Sequence, residues 1–376
     1  MRADVVVIGG GVIGASVAYH LVKSGVKQVT VVDRGGGSTE RATGGFRAQF
    51  ATAVNVQLSL LSLEKLLHFA DEIGVDPGYR PVGYLFVATS AEQLEHLQEA
   101  LAVQRNAGCG AAQELCAGDV ISRNPYLAPD GIVGGTFSPT DGFLRPTEIQ
   151  RGYREAAIRL GARFLEGTVR QLRMLGSRVI GVETESDTLP CGALVNAAGP
   201  WAAQVARMAA VDLSVTPLRR QVAVTAPTVA LPEDLAMTVF ADGFHCRVRD
   251  QRVLLLGPSP PAEEPFDVFV DPLWVTGVLE TGRTRLPSLR YVPIASTYAG
   301  LYEMSPDEHA ILGFADGVEN FLLVNGSSGH GVMHSPALGQ LAAELLTSGK
   351  AQSLDTFPLR PSRFREGLPN PNRSLL

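Results

Sequence analysis

The sequence of 376 residues lacks the features that mark several large classes of protein. Its four cysteines form no CxxC pair and no cluster with histidine at metal-ligand spacing, so we expect reduced thiols and no metal site. Lysine and arginine (32) are fewer than aspartate and glutamate (38), and the formal net charge of −6 provides no basic field for nucleic acid. Internal repeats and low-complexity tracts are also missing. These absences favour a globular protein of the cytoplasm, whose length suggests two domains.

Charged residues are almost missing from residues 5–22, a stretch long enough to resemble a membrane span or a signal peptide. Glycines at positions 9, 10, 11 and 14 would weaken a spanning helix, and no small-residue cleavage site follows. We therefore expect no membrane span and no targeting segment.

The N-terminal stretch does contain the pattern strand, glycine turn, helix, strand. The apolar run at 5–8 predicts a buried parallel strand. Gly9, Gly11 and Gly14 of the GxGxxG that follows suit a tight turn, close approach of a pyrophosphate and helix packing, respectively. Asp33 ends the second strand, where a carboxylate accepts hydrogen bonds from ribose and repels the 2′-phosphate of NADP. The sequence therefore predicts a dinucleotide site without selecting the dinucleotide.

The remainder of the chain alternates helical and strand-like segments. Periodicity predicts a helix over 54–72 with Val56, Leu60, Leu63, Leu67 and Ala70 on one face. A second helix is expected over 336–347, because Ser335 suits the cap and Pro336 the first helical position. Strand-like segments and proline-rich turns fill residues 216–295. Further helices are predicted over 91–107 and 149–160, and further strands over 29–32, 84–88, 163–166, 169–174, 179–184, 193–196 and 321–324.

Three further blocks are similar to sequences of a known superfamily. Residues 37–47, 195–201 and 325–333 resemble the loop after the second strand, the second FAD-contact motif and the flavin loop of the D-amino-acid oxidase superfamily of FAD-dependent oxidoreductases. Residues 300–307 resemble the branch that contains sarcosine oxidase, the proline dehydrogenase β-subunit and dimethylglycine dehydrogenase. With the glycine fingerprint, the resemblance covers residues 5–346.

The resemblance implies an α/β fold, in which an FAD-binding Rossmann-like βαβ domain is joined to a second, β-rich substrate domain of α+β character. The FAD-binding domain would be discontinuous and comprise 1–80, 141–215 and 296–357. Residues 81–140 and 216–295 would form the substrate domain, as a sheet over the flavin, and 358–376 an extended tail.

The chain departs from the resembled enzymes at three positions. Monomeric sarcosine oxidases attach flavin through a cysteine where Gly300 stands, so the resemblance implies non-covalent FAD. They also carry a lysine at the position of Met333. Because this chain has methionine there, its substrate pocket has one positive charge fewer. Glycine oxidases carry an arginine where Tyr302 stands, which disfavours that subfamily.

The resemblance assigns two residues to the substrate. Arg47 would bind its carboxylate through a bidentate guanidinium, and Tyr302 would donate a hydrogen bond on the substrate side of the flavin. Two alternatives stay open. Arg47 would instead bind the FAD phosphates or lie at the surface, and Tyr302 would be a packed aromatic side chain without a role in substrate binding. His330 is not assigned as a base, and His245 and Arg247 face either the pocket or solvent. The residues assigned to FAD are Gly9, Gly11, Val12, Ile13, Gly14, Asp33, Arg34, Thr43, Gly44, Gly45, Val169, Ala198, Gly199, Trp201, Ser328, Gly329, His330, Gly331, Val332 and Met333.

The function implied is oxidation of a small secondary or N-methyl amino acid, similar to sarcosine or proline, by hydride transfer from C–H to flavin N5. The product would be an imine that water hydrolyses. Two alternatives stay open: a flavin-bearing subunit that passes electrons to a partner in a hetero-oligomer, and a non-catalytic FAD-binding protein. A homo-oligomer is equally compatible with the sequence, and neither the electron acceptor nor the particular substrate follows from it.

Overall fold

The computed structural model describes residues 5–229 and 231–371. Residues 1–4, 230 and 372–376, which belong to the predicted domains and tail, lie outside the described residues. The helices are α1 (Val12–Lys23), α2 (Ala53–Leu67), α3 (Phe69–Ile73), α4 (Ala91–Asn106), α5 (Ala117–Arg123), α6 (Pro146–Arg159), α7 (Ala202–Arg207), α8 (Pro272–Arg285) and α9 (Gly331–Ser348).

The strands include all those predicted from the sequence, with small shifts at their ends. They are β1 (Val5–Ile8), β2 (Val29–Asp33), β3 (Gly45–Phe46), β4 (Tyr84–Ala88), β5 (Gln113–Cys116), β6 (Gly134–Ser138), β7 (Gly142–Phe143), β8 (Arg163–Glu166), β9 (Val169–Leu175), β10 (Arg178–Thr184), β11 (Thr188–Pro190), β12 (Ala193–Asn196), β13 (Thr216–Thr225), β14 (Met237–Phe240), β15 (His245–Arg249), β16 (Arg252–Leu256), β17 (Ile294–Met304), β18 (Ile311–Phe314) and β19 (Phe321–Asn325).

The first large sheet has the order β18-β19-β12-β1-β2-β8 and is parallel except for its edge strand β18. Alternate residues of β1 enter different cores. Val5 and Val7 pack with α1, α6 and α9, whereas Val6 and Ile8 pack with α7 and the three-stranded sheet β9–β11. Both faces of the strand are therefore covered, which explains its uninterrupted apolar run. The predicted α/β class and Rossmann-like βαβ unit are confirmed.

The second large sheet has the order β17-β13-β16-β15-β14-β4-β6-β5. Its pairs are antiparallel except β4 with β14. The proposed domain boundary at residues 295/296 falls inside β17, which pairs with β13 from Thr216 to Thr225. Strand pairing thus joins residues 294–304 to the second sheet, while the division into two domains stays a prediction.

The helix predicted over 54–72 is interrupted at His68, and its predicted apolar face is confirmed only in part. Val56 is buried and Leu60 and Leu63 pack against the core, but Ala70 is exposed. Leu67 is exposed, whereas polar Ser59 and Ser62 are fully buried. Ser59 donates to the Arg47 carbonyl at 2.7 Å, and the Ser62 hydroxyl accepts from Ala337 N–H at 3.2 Å. The predicted face omits Ser59 and Ser62 because hydroxyl side chains count as polar in a hydrophobic pattern, although these two are buried with partners elsewhere in the chain.

Helix α9 begins at Gly331, five positions before the predicted start, and Pro336 lies inside it. Proline cannot donate to the carbonyl four residues earlier, which belongs to Val332. The Ser335 hydroxyl donates to that carbonyl at 2.9 Å instead. Ser335 therefore stabilises the helix around the proline, rather than capping a helix that begins there.

The predicted extended tail is wrong for its first part. Short 3-10 helices span Phe357–Leu359 and Pro361–Arg363, and the Arg363 side chain is fully buried against Asp307. An extended tail was expected because proline and arginine are typical of exposed chain. The buried carboxylate that binds Arg363 lies 56 residues away in sequence.

None of the helices in the described parts of the chain is both long and apolar enough to cross a membrane. Cys109, Cys191 and Cys246 are buried, and Cys116 is exposed.

Candidate active site

The glycines of the turn between β1 and α1 differ in the space around them. Gly9 has a φ of +99°, and a Cβ built on it would lie 2.2 Å from the Ala197 carbonyl oxygen. A Cβ on Gly14 would lie 1.8 Å from the Gly9 oxygen, whereas one on Gly11 meets only the Thr39 hydroxyl, at 3.3 Å. Gly9 and Gly14 are thus required by packing, whereas a methyl group at Gly11 would contact only the Thr39 hydroxyl beside the N-terminus of α1.

These glycines allow a test in which two substitutions have different outcomes. We expect Gly14→Ala to destabilise the fold, since a Cβ at 1.8 Å from a backbone oxygen forces the backbone to move, at a cost of about 1–3 kcal/mol or more. Gly11→Ala should fold normally and bind FAD roughly tenfold more weakly, because its methyl group occupies the approach to the phosphates. Thermal unfolding and FAD titration measure the two effects.

Gly277→Ala is the matched control, since nothing lies within 4 Å of the added carbon. It should leave FAD affinity unchanged. Wild-type FAD affinity in Gly11→Ala would contradict the position assigned to the pyrophosphate.

A cavity of about 570 Å³ extends from the glycine turn to the second sheet. Every residue that the sequence assigned to FAD or substrate lines it, except Gly14, which packs behind the turn. At one end, the Arg34 guanidinium carbon lies 4.0 Å from the ring centre of Trp201. At the other, Arg47, Tyr302 and the flavin loop meet the second sheet. The cavity thus brings together four segments that are distant in sequence.

Several cavity residues were missed by the sequence analysis. Ser38 and Arg41 lie in the loop that resembles the family, but no role was given to them. Arg220, from β13, was not recognised because no local motif marks it, and Glu303, from β17, lies in the block 300–307 that resembles the family but was given no role. Of the two residues left open, His245 lines the cavity, whereas the buried Arg247 binds the Thr43 carbonyl and lies over the Phe143 ring at 3.5 Å.

Arg47 is a buried guanidinium that forms no ion pair with an acidic side chain of the described residues. It is 2% exposed and donates to the Gln49 carbonyl and to His330 Nε2, the latter at 3.2 Å. Its guanidinium carbon lies 3.9 Å from the Phe50 ring centre. No carboxylate of residues 5–229 or 231–371 forms an ion pair with it. Burial lowers the pKa of Arg47 to about 10, so the side chain remains charged at neutral pH and can bind an anion.

His330 holds Arg47 as a neutral acceptor. Burial, and then the neighbouring Arg47 charge, lowers the pKa of His330 well below its ordinary value. The His334 ring, whose pKa burial lowers to about 3, lies 5.8 Å away and shares a 3.0 Å hydrogen bond with Ser59. Because Ser59 also donates to the Arg47 carbonyl, these side chains set the position of the guanidinium from two directions.

Glu303 is a buried carboxyl group with one unpartnered oxygen. Ser327 N–H donates to Oε1 at 3.3 Å, while Oε2 has no hydrogen-bond partner within the described part of the chain. Burial raises the pKa of Glu303 to about 7. The amide of Asn325 is also buried without a partner among the described residues. A polar ligand in the cavity could form a hydrogen bond with Glu303, which lines it.

The raised pKa of Glu303 predicts a stability that falls as pH rises. Glu303 is protonated in the folded protein at pH values where it is already charged in the unfolded chain, so stability is lost between about pH 4.5 and 7. Glu303→Gln keeps the shape without the charge. We expect it to match wild type near pH 5 and to be more stable by about 1–3 kcal/mol at pH 8. Urea unfolding at both pH values measures this, and an equal difference at the two would contradict it.

The arrangement fits FAD, since Gly11, Val12 and Ile13 at the N-terminus of α1 line the cavity, and Glu303 Oε2 at its other end lacks a hydrogen-bond partner among the described residues. Comparison with known proteins agrees. The family model described as "FAD dependent oxidoreductase" matches residues 4–345, and the chain belongs to this family of enzymes.

Individual relatives refine the comparison. The chain is 28% identical to FAD-dependent oxidoreductase domain-containing protein 1 of Xenopus laevis, over 96% of this chain and 82% of that protein. It is 26% identical to mitochondrial dimethylglycine dehydrogenase of Rattus norvegicus, over 96% of this chain and 45% of that protein, so it spans less than half of that relative's length. Among solved structures, L-proline dehydrogenase from P.horikoshii superposes with a TM-score of 0.91 at 26% identity, covering 98% of this chain and 99% of that chain. Glycine oxidase from Geobacillus kaustophilus has a TM-score of 0.86 at 25% identity, covering 96% and 99%.

Proposed function

We propose that the chain oxidises a small secondary or N-methyl amino acid, with FAD as the acceptor of a hydride from the carbon next to nitrogen. The observation that carries the proposal is Arg47: a charged, fully buried guanidinium at the cavity wall that has no acidic partner in the described ranges. Asp141 and Glu308 raise the pKa of Arg47 but form no ion pair with it, so much of the cost of burying this charge remains. A substrate carboxylate would compensate Arg47, and the resemblance to amino-acid dehydrogenases supports this assignment.

The other cavity side chains suit an amino acid whose nitrogen reacts as a free amine. Tyr302 stays protonated, because burial raises the pKa of its hydroxyl, and therefore acts as a hydrogen-bond donor. Burial lowers the pKa of His245 to about 4, so this ring is neutral and adds no further positive charge. A water-poor wall also favours the neutral amine over the ammonium form. Arg47 would orient the substrate by its carboxylate while Tyr302 fixes its rotation.

FAD would lie between the glycine turn and the flavin loop. Gly11, Val12 and the N-terminus of α1 would hold the pyrophosphate, Asp33 the ribose, and residues 328–333 the ring system at the start of α9. FAD supplies the oxidising power by accepting the hydride. The backbone dipole of α9 would favour negative charge on the side of the ring that faces it.

Reduction of the bound flavin tests the proposal directly. FAD-loaded protein should lose its yellow colour when mixed anaerobically with one or more members of a panel of N-methyl and cyclic amino acids. If dithionite bleaches the flavin but no amino acid does, the protein binds FAD without this activity. Size-exclusion of protein purified from its source tests the partner-dependent alternative, because a stable partner subunit would co-elute.

FAD should be bound without a covalent bond, since position 300 is glycine and offers no thiol. The space is also limited, because a Cβ at Gly300 would lie 2.8 Å from the Arg41 Cβ. Acid precipitation should therefore release the yellow colour into the supernatant. Colour that stays in the protein pellet would contradict this prediction.

A further inference from the structure

A second guanidinium lies at the substrate end of the cavity. Arg220 belongs to β13, in which Leu218 is paired with Tyr302 of β17, so Arg220 and Tyr302 are diagonal neighbours on one face of the sheet. The Arg220 guanidinium carbon lies 5.5 Å from the centre of the Tyr302 ring. Arg220 is half-buried and lines the same cavity as Arg47.

The two guanidinium groups act on the same side chains. Burial is the main influence on Tyr302, and Arg220 and Arg47 both lower its pKa against that effect. The same two cations also lower the pKa of His245, after burial. Both charges therefore act on Tyr302 and His245, and all four side chains belong to residues that line one cavity. In the part of the chain that the structure describes, neither arginine forms an ion pair.

The carboxylates that line this end of the cavity do not neutralise both arginines. Asp242 is bound by Arg285, with Nη1 2.9 Å from Oδ1. Glu303 has a raised pKa and carries only part of a charge near neutral pH. Glu308 raises the pKa of Arg47 but lies beyond ion-pair distance. Among the described residues, no carboxylate therefore forms an ion pair with Arg47 or Arg220, and both cations remain available to an anion.

We propose that the substrate is an amino acid with a second carboxylate, whose α-carboxylate binds Arg47 and whose other carboxylate binds Arg220. The inference rests on the proposed function and narrows its substrate class. A monocarboxylate would leave one of two neighbouring cations uncompensated in a partly desolvated site, whereas a dicarboxylate neutralises both. Arg220 is then the residue that determines specificity, while Arg47 is common to all amino-acid substrates.

Non-reacting acids of equal carbon number test the site without turnover. FAD-loaded protein is titrated with succinate and with butyrate, and binding is followed as a change in flavin absorbance. Wild type should bind succinate roughly tenfold or more tightly than butyrate, the effect of one additional charge-assisted contact. In Arg220→Met the ratio of the two dissociation constants should fall towards one, and Arg220→Lys should restore part of it. Arg207→Met, an exposed arginine on α7 outside the cavity, is the control and should keep the wild-type ratio.

Three results would overturn the inference. They are equal affinity of wild type for succinate and butyrate, no binding of either acid, and a loss of affinity in Arg220→Met that is the same for both acids. The last would mean that Arg220 and Arg47 share one carboxylate. Anaerobic reduction by N-methylglycine and N-methylaspartate separates this inference from the proposed function. Preference for succinate without reduction by any amino acid would reject the proposed reaction and retain the dicarboxylate site. Reduction of the flavin by N-methylglycine and N-methylaspartate at equal rates would support the proposed reaction and reject the dicarboxylate site.

Discussion

Arg363→Met should lower the free energy of unfolding by about 3–5 kcal/mol, the cost of removing one member of a buried ion pair. Arg363 binds both oxygens of Asp307, with Nε at 2.8 Å and Nη2 at 2.9 Å, and Asp307 is only 2% exposed. Desolvation alone would raise the pKa of Asp307, but pairing with Arg363 holds it at about 2. In the variant, the buried carboxylate would stay behind without its cation.

The pH dependence of this effect has a definite sign. A depressed carboxyl pKa gives stability that is present above the ordinary value of 3.8 and is lost as pH falls through about 2. Urea unfolding near neutral pH should therefore show the full penalty, and acidification should reduce the difference between variant and wild type.

A neighbouring exposed pair provides the control. Arg365 lies 3.2 Å from Asp316, and their side chains are 70% and 44% exposed, so Arg365→Met should cost about 0–1 kcal/mol. The double variant Arg363→Met/Asp307→Asn should be more stable than Arg363→Met, because no buried charge remains. A loss in Arg363→Met no larger than that in Arg365→Met would contradict the assignment.

The parts of the fold that depend on near neighbours were predictable from the sequence. Gly9, Gly14 and Asp33 have their roles within one βαβ unit, so spacing and strand pattern identify them. Prediction failed where a polar side chain has its partner far along the chain. Ser62 looks like a surface residue of α2 until the amide of residue 337 is placed against it. Arg363 looked exposed for the same reason.

In the candidate site, too, local motifs were predictable from the sequence and contacts between distant segments were not. Family resemblance led to Arg47 and to the flavin loop, but not to the hydrogen bond between Arg47 and His330, which are 283 residues apart. Arg220 lies in a strand that carries no recognisable motif, and only its pairing with β17 brings it to Tyr302. The residues proposed to determine the substrate are therefore those that the folded chain, rather than any local pattern, brings together.

Arg47→Ala is expected to lower kcat/KM for the best amino-acid substrate by roughly 10- to 150-fold. The loss of a hydrogen bond between charged groups costs about 1.5–3 kcal/mol, and each 1.36 kcal/mol is a factor of ten. A buried guanidinium loses less to solvent screening than an exposed one. Amines without a carboxylate should be affected much less, because they do not make this contact. Steady-state kinetics with matched amino acids and decarboxylated amines measures the difference.

Arg47→Lys separates charge from geometry. The wild-type guanidinium binds the Gln49 carbonyl and His330 with two different nitrogens and still presents N–H groups to the cavity. An ammonium carries the charge but not the planar fork that allows these contacts together. We therefore expect Arg47→Lys to recover only part of the lost kcat/KM. FAD content must be measured in both variants, because an arginine that binds the FAD phosphates would lose cofactor rather than selectivity. If Arg47→Ala retains FAD and oxidises its amino acid as efficiently as wild type, the substrate carboxylate is not bound by Arg47. Arg220, which lies over the Tyr302 ring, is then the cation that would bind it.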